Sequence, residues 1–218
     1  RSLLDPREAR LIMKYLRPAI LLTAFFVVLT GLVFPAVVWG IGQLVFPSQA
    51  GGSLVKDVKG NVIGSALLGQ AFSKAEYFHA RPSAAGAGYD AANSSGTNLG
   101  PTSDKLVHGI KDDPATKDVD ETYLGFGDLA RLYRAENGLD PDSVIPADAA
   151  TRSGSGLDPD ITPANAELQV ARVAKARGLD PARLRKLLAE STLPRSLGFL
   201  GEPRVNVLSL NLALDGLH

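Results

Sequence analysis

The feature that most constrains this chain is an apolar run from Pro18 to Phe46, PAILLTAFFVVLTGLVFPAVVWGIGQLVF, which carries no charged residue. Within this run, Thr23, Thr30 and Gln43 carry the polar side chains. A helix needs about 20 apolar residues to cross a hydrocarbon core roughly 30 Å thick, and this run is longer. We predict one transmembrane helix over residues 18–46.

Two other structures also produce a long apolar run. One is a buried core helix, but twenty-nine consecutive uncharged residues are atypical of it. The other is a cleavable signal peptide, since a basic flank precedes the run and Ser48-Gln49-Ala50 has the small-x-small form of a cleavage site. The apolar part of a signal peptide spans about 7 to 15 residues. We therefore favour a permanent anchor.

Prolines and small residues divide the predicted span. Pro18 suits a first helical position, and Pro35 is expected to kink the interior, because apolar residues continue beyond it. Ala36 and Gly40 form a small-xxx-small pair that lets another helix approach closely, although small residues that merely face lipid explain the pair equally well. We take Gly31, Pro35, Ala36 and Gly40 as candidate packing residues of the span.

The charges that flank the span predict its orientation. Four basic residues lie from Arg7 to Arg17, whereas the other flank offers only Lys56 and Lys59 by residue 65. Lys and Arg close to a span tend to stay in the cytoplasm. We therefore expect a cytoplasmic basic segment at residues 1–17 and a soluble extracytoplasmic domain at residues 47–218.

Composition excludes some classes of partner. The formal net charge is zero, and after residue 46 the chain has 18 basic and 21 acidic residues. Nucleic acid is therefore not an expected partner. The chain has no cysteine, which excludes disulfides and thiolate metal sites.

Local patterns in residues 47–218 predict a mixed α/β (α+β) domain. Strand-forming residues over 53–56 and 62–67 flank a turn at Gly60 and Asn61, which indicates a β-hairpin. Two amphipathic segments, TPANAELQVARVAKARGL and DPARLRKLLAEST, indicate a helical hairpin. Its expected apolar face is Leu168, Val173, Leu184, Leu187 and Leu188. Near the end, RVNVLSLNLALDGL fits a strand followed by a short helix, although strand and helix are both open there.

Three copies of GLDP begin at Gly138, Gly156 and Gly178 without any longer repeat around them. We interpret each as a boundary, in which Gly ends one element, Asp accepts N–H bonds and Pro opens the next element.

Catalytic motifs are scarce. No two of His79, His108 and His218 have the i, i+4 spacing of a helical zinc site, and no nucleotide-cradling G-x-x-x-x-G-K-[ST] loop occurs. A membrane-anchored hydrolase would need Ser153 or Ser155 with His79, without a G-x-S-x-G elbow. We therefore expect no catalytic residue and no metal ligand.

Several separated blocks occur in one order: TGLVFP, YFHARPSAAGAGYD, SSGTNLGPT, SGLDPDITPANAELQVARVAKARGL and VNVLSLNLALD. Together they resemble the C subunit of the Kdp-type potassium-transporting ATPase, from about Leu16 to Asp215. Asp90, Ser95 and Thr97 depart from the usual residues. Residues 111–143 exceed the family's common linker, and we expect a short helix in them near residues 129–135.

The resemblance implies a non-catalytic accessory subunit of an ATP-driven potassium uptake complex in the bacterial inner membrane, and the chain lacks the D-K-T-G sequence of a pump. Its implied partners are an ATP-hydrolysing pump subunit, a channel-like potassium-binding subunit and a small membrane subunit, within membrane lipid. ATP and potassium would be used by the complex; ATP binding is a family attribution, and we assign no cofactor to this chain itself. The family is described as a catalytic chaperone that raises the ATP affinity of the pump subunit. Two alternatives are a membrane-anchored extracytoplasmic hydrolase and a solute-binding or chaperone module.

The irregular segment at residues 76–101 holds most of the candidate site residues. Arg81, Ser83, Asn98 and Gly100 lie in it, and Asp158 lies in the second GLDP copy. One hypothesis is that the segment covers the outer mouth of the ion-conducting subunit with carbonyl and acidic groups. The other, which we favour, is a rigid loop pinned to its own domain, with Arg81 bonded to an internal carboxylate and Tyr77 and Phe78 in the core.

Overall fold

A computed structural model of the chain describes residues 6–57, 59–110 and 123–217. The chain divides into two compact units, Arg1–Leu54 and Val55–His218. Part of the segment at 111–143 therefore lies outside the described residues.

The first unit is almost entirely helical. Helix α1 covers Pro6–Val28, a π turn covers Leu29–Val33, helix α2 covers Phe34–Val45, and the short helix α3 covers Pro47–Ala50. The stretch Lys14–Val45 is long and apolar enough to cross a membrane. Nothing in the described chain buries it, which is typical of a helix that faces lipid or another chain.

The structure corrects one expectation about the prolines and extends another. Pro18 lies inside α1 and not at a first helical position, because the helix already begins at Pro6. At Pro35 we predicted an interior kink, and the π turn Leu29–Val33 lies immediately before this residue. Such a turn is the kind of irregularity that accompanies proline within a helix.

The second unit mixes helices with short strands, in agreement with the mixed α/β prediction. Its elements, in chain order, are β1 Leu54–Lys56, which begins at the unit boundary, β2 Val62–Ser65, α4 Asp104–His108, α5 Phe126–Glu136, β3 Asp160–Ile161, α6 Pro163–Arg177, α7 Pro181–Ser191, β4 Thr192–Leu193, β5 Arg204–Asn206 and α8 Val207–Asp215. Strands β1 and β2 form one sheet, and β3, β5 and β4 form an antiparallel sheet in that spatial order. The predicted β-hairpin, the short helix near residues 129–135 and the final strand followed by a helix are therefore confirmed.

The core lies among α6, α7, α8 and β5, around the fully buried ring of Phe78. Its members also include Val170, Val173, Leu184 and Leu210. The predicted helical hairpin is present, and the side chains of Thr162 and Asp180 accept hydrogen bonds from the first turns of α6 and α7.

One residue of the predicted apolar face is misplaced. Leu168 is only partly buried and lies outside the core cluster, whereas Leu187 packs against that cluster as predicted. The buried stripe of α6 instead contains Asn165, Ala166, Gln169 and Val170, so two of its core positions hold polar side chains. Gln169 binds the backbone of His79, and Asn165 binds the side chains of Asp148 and Tyr133.

The GLDP copies share their backbone geometry but lead into different elements. Gly138, Gly156 and Gly178 have φ of 65°, 68° and 65°, in the left-handed region that glycine tolerates. The aspartate of each copy accepts an N–H bond from two residues later, at 3.0, 3.1 and 2.9 Å. Only Pro181, in the third copy, opens a helix. The expectation that each proline opens the next regular element is therefore wrong for the first copy, which enters a turn, whereas the second copy leads directly into β3.

Candidate functional site

Residues 78 and 79 of the irregular segment are held by two side-chain amides. The N–H of Phe78 donates to Oδ1 of Asn211 in α8 at 2.9 Å, and Nδ2 of Asn211 donates to the Phe78 carbonyl at 2.9 Å. In the same way the N–H of His79 donates to Oε1 of Gln169 in α6 at 2.7 Å, and Nε2 of Gln169 donates to the His79 carbonyl at 3.0 Å. The two amides thus satisfy the backbone as a neighbouring strand would.

Two arginines of α6 bind the carbonyls just before these residues. Arg172 Nη1 donates to the carbonyls of Ala75 and Tyr77 at 2.8 and 2.9 Å, and Arg177 Nε donates to the carbonyl of Glu76 at 2.8 Å. The guanidinium of Arg177 also lies 4.8 Å from the centre of the Tyr77 ring, a cation–π contact. The entry of the irregular segment is therefore fixed by one face of α6.

Arg81, Ser83 and Asp158 come together at the next turn. Arg81 Nη1 lies 2.9 Å from Asp158 Oδ2, in a partly buried ion pair. The hydroxyl of Ser83 donates to the Gly156 carbonyl at 2.6 Å and accepts the N–H of Tyr89 at 2.8 Å. The Tyr89 hydroxyl donates to the Arg81 carbonyl, and burial raises the pKa of Tyr89 to about 12. These contacts fit the hypothesis of a loop pinned to its own domain.

Asn98 and Gly100 do not join this group. Both are exposed, and Asn98 adopts a φ of 53°. The Gly100 carbonyl accepts the N–H of Ser103 at 3.0 Å, in the turn before α4. The structure thus separates the five candidate residues into a cluster of three and two exposed loop residues.

Two glycines let residues 154–156 approach the loop closely. A Cβ on Gly156 would lie 2.6 Å from the Ala85 nitrogen and 2.7 Å from the Ser95 carbonyl oxygen. A Cβ on Gly96 would lie 2.7 Å from the Gly154 carbonyl oxygen. Since real Cβ contacts are longer than this, these positions hold the irregular segment against residues 154–156 at backbone contact distance.

A polar network lies beside the anchored residues. Asp148 accepts the N–H of Thr162 at 2.7 Å and Nδ2 of Asn165 at 3.1 Å, and Oδ1 of Asn165 accepts the Tyr133 hydroxyl at 2.8 Å and Nε2 of Gln169 at 2.9 Å. Burial raises the pKa of Tyr133. In the described residues every buried side-chain nitrogen and oxygen has a hydrogen-bond partner. The network is therefore satisfied internally, as a structural network is.

The sequence analysis missed Asn165, Gln169, Arg172 and Asn211. A signal for Gln169 and Asn211 was present, because both interrupt apolar helical faces at core positions. A buried amide at such a position needs a partner, but the sequence does not say which backbone groups supply it.

A cleft of about 250 Å³ opens beside this network, and its lining includes His79, Arg81, Tyr89 and Glu136. His79 Nδ1 lies 2.9 Å from Glu136 Oε1, and Nε2 lies 3.0 Å from the Lys74 carbonyl oxygen. The hydroxyls of Ser153 and Ser155 accept the N–H groups of Gly156 and Leu157. The serine–histidine pair that a hydrolase needs is thus not assembled from these residues. No group of three metal-ligating side chains occurs in the parts of the chain that the structure describes.

Glu136 gives the domain a testable acid dependence. The hydrogen bond from His79 is the largest cause that lowers the pKa of Glu136 below its ordinary 4.5. Because the folded-state pKa lies below the unfolded one, this pair stabilises the fold above about pH 4.5, and the contribution is lost as the pH falls through the folded-state pKa. We expect Glu136→Gln to lose less stability than the wild type between pH 5 and pH 3 when the full chain is unfolded with urea in detergent. Parallel curves for the two proteins would contradict this assignment.

The candidate packing residues of the span contact no other part of the described chain. A Cβ placed on Gly31 or Gly40 meets no atom within 4 Å. Pro35 and Ala36 lie in the first turn of α2 and are exposed. These positions are therefore open to a neighbouring molecule.

Comparison with known proteins gives one family over nearly the whole chain. The family model described as the c chain of the K+-transporting ATPase matches residues 16–216. The potassium-transporting ATPase KdpC subunit of Caulobacter sp. (strain K31) is 52% identical over 203 residues, 93% of this chain and 94% of that protein. The KdpC subunit of Gemmatimonas aurantiaca is 52% identical over 94% of this chain and 94% of that protein. The KdpC subunit of Mycobacterium tuberculosis (strain ATCC 25177 / H37Ra) is 48% identical over 94% of this chain and 99% of that protein.

Proposed function

Because this chain belongs to the KdpC family, the c chains of K+-transporting ATPases, we propose that it serves such a complex as a membrane-anchored accessory subunit without catalytic residues of its own. The observation that carries the proposal is the family match over residues 16–216, which includes both the apolar span and the globular domain. The buried polar side chains around His79 already have hydrogen-bond partners within this chain, and this supports a non-catalytic role.

The span anchors the chain, with residues 1–17 in the cytoplasm, residues 18–46 in the inner membrane and residues 47–218 outside. The basic residues from Arg7 to Arg17 support this orientation. ATP is then separated from the globular domain by the bilayer. An effect of this subunit on the ATP affinity of the pump subunit is therefore a coupling free energy transmitted through the complex, and not a contact with nucleotide.

The domain exposes apolar side chains suited to contact with larger membrane chains. Val62 and Leu67 are 54% and 59% exposed around strand β2, and Leu197 and Phe199 are 83% and 69% exposed in the turn between β4 and β5. Large exposed apolar side chains are common on interaction surfaces. We assign these surfaces to the assembly of the complex with the pump subunit, the channel-like subunit and the small membrane subunit. The irregular segment is a rigid internal support of the same domain.

The orientation is testable by cysteine labelling, because the chain has no cysteine of its own. We expect a membrane-impermeant maleimide to label Lys186→Cys in intact spheroplasts, since the Lys186 side chain is 79% exposed. Ser2→Cys is expected to react only after the membrane is permeabilised. The reverse pattern of labelling would overturn the proposed orientation.

The role in the complex is tested by purification of the full chain in mild detergent. We expect an affinity-tagged chain to recover the other chains of the potassium-transporting ATPase and to restore growth of a subunit-deletion strain at low potassium. A chain that restores growth without binding them, or that purifies alone and hydrolyses generic esters, would contradict the proposal and favour the hydrolase alternative.

A further inference from the structure

The middle of the span contains a backbone carbonyl that loses the two donors with which an α-helix or a π turn would satisfy it. The stretch Lys14–Val45 is 32 residues long, so Thr30 lies near its centre. In an α-helix the N–H of residue 34 would bond to the carbonyl of Thr30, but the N–H of Phe34 donates to Leu29 in the π turn. Residue 35 is proline and has no N–H. The Thr30 carbonyl therefore receives neither the N–H of residue 34, which an α-helix would supply, nor an N–H from residue 35, which a π turn would supply.

The side chain of Thr30 does not replace the missing donor. Its hydroxyl donates to the carbonyl of Phe26 at 2.6 Å, one turn earlier. Acyl chains supply no donor, and an unsatisfied carbonyl in hydrocarbon costs several kcal/mol. The other interior proline differs in this respect, because Pro18 removes the donor to the carbonyl of Lys14, which begins the span and lies near water.

The carbonyl is also accessible. The next residue, Gly31, has no side chain, and a Cβ placed there meets no atom within 4 Å. No part of the described span is buried in this chain. A neighbouring helix can therefore approach the backbone at this depth.

On the basis of the proposed function, we propose that the carbonyl of Thr30 accepts a hydrogen bond from a side chain on a transmembrane helix of another chain of the complex. The donor is a hydroxyl, amide or indole N–H that lies in the middle of the bilayer. Interhelical hydrogen bonds of this kind join membrane helices and satisfy backbone groups that proline has freed.

A second copy of this chain does not fit the role. Two copies in the same orientation place identical residues at the same depth, and the Thr30 hydroxyl is already bonded to Phe26. Within the uncharged run Pro18–Phe46, Thr23, Trp39 and Gln43 carry the other side-chain donors. At 1.5 Å per residue they lie about 10, 14 and 20 Å from Thr30 along the axis, too far for a direct bond. The donor must therefore come from a different chain.

The proline can be replaced to test this inference. Pro35→Ala restores an N–H that reaches the Thr30 carbonyl at the π spacing or the Gly31 carbonyl at the α-helical spacing. In the second case the N–H of Phe34 is free to return from Leu29 to Thr30. Either way the outside donor loses its acceptor. We expect recovery of the partner chains with the tagged full chain to fall about threefold to tenfold, the worth of one interhelical hydrogen bond. Pro18→Ala makes the same chemical change at the end of the span and is expected to leave recovery unchanged.

A backbone substitution separates the hydrogen bond from a change in helix shape. Glycolic acid in place of Gly31, incorporated by nonsense suppression, converts the Thr30–Gly31 amide to an ester, whose carbonyl is a weaker acceptor. We expect it to lower recovery, whereas the same ester at Gly40, inside regular α2, is expected to have little effect. Equal recovery of all four variants with the wild type, as trapped water at the carbonyl would give, overturns this inference alone. Failure of the wild type to bind partners overturns the proposed function instead.

Discussion

Gly156→Ala is expected to destabilise the globular domain by about 3 kcal/mol or more. A left-handed φ of 68° costs an alanine about 1–2 kcal/mol. In addition its Cβ would meet the Ala85 nitrogen at 2.6 Å and the Ser95 carbonyl oxygen at 2.7 Å, and both are backbone atoms that cannot rotate away. Residues 85 and 95 would have to separate from residue 156. Urea-dependent pulse proteolysis of the full chain in detergent measures the change.

The other GLDP copies are matched controls for this prediction. Gly138 and Gly178 both have a φ of 65°, and a Cβ on either meets no atom within 4 Å. We expect Gly138→Ala and Gly178→Ala to cost only the conformational part, about 1–2 kcal/mol each. Equal losses for all three variants would show that close backbone contact at Gly156 contributes nothing.

Asn211→Leu is expected to destabilise the domain by about 3 kcal/mol. The leucine fills nearly the same volume but leaves both the N–H and the carbonyl of the buried Phe78 without a partner. An unsatisfied buried polar group costs about 1–3 kcal/mol. The same proteolysis assay measures the loss, and hydrogen exchange at the Phe78 amide is expected to accelerate.

Ser209→Ala is the control on the same helix. The Ser209 side chain is exposed, so the change is expected to stay within about 0.5 kcal/mol. If Asn211→Leu were as mild as Ser209→Ala, the contacts of Gln169, Arg172 and Arg177 would have to anchor the segment without Asn211.

Some of the fold could be predicted because its signals are local. The caps at Thr162 and Asp180, each followed by proline, predicted where α6 and α7 begin. Leu168 was assigned to the buried face in error, since amphipathic spacing counts apolar residues and does not recognise that Gln169 belongs inside. The proline of the GLDP motif was likewise overinterpreted, because four residues do not specify the next element.

The candidate site was predicted only in part for the same reason. Arg81 and Asp158 were both named, and an internal carboxylate partner for Arg81 was expected, but the pairing itself spans 77 residues. Asn98 and Gly100 belong to the same glycine-rich stretch of sequence, yet in the folded chain they are exposed and lie apart from the cluster of Arg81, Ser83 and Asp158. The pattern of small residues indicated an irregular loop without indicating which of its parts would be held.

The sequence by itself determined that one segment is long and apolar enough to cross a membrane, because the transfer of a side chain into hydrocarbon depends on that side chain and hardly on its neighbours in the fold. It also determined where α6 and α7 begin, since caps act over three or four residues. Only the tertiary structure decided what holds the irregular segment, because Asn211 and Phe78 lie 133 residues apart and meet only after the core has formed. The lost donor to Thr30 likewise required coordinates, since a proline predicts a disturbed helix but not which carbonyl is left without a hydrogen bond.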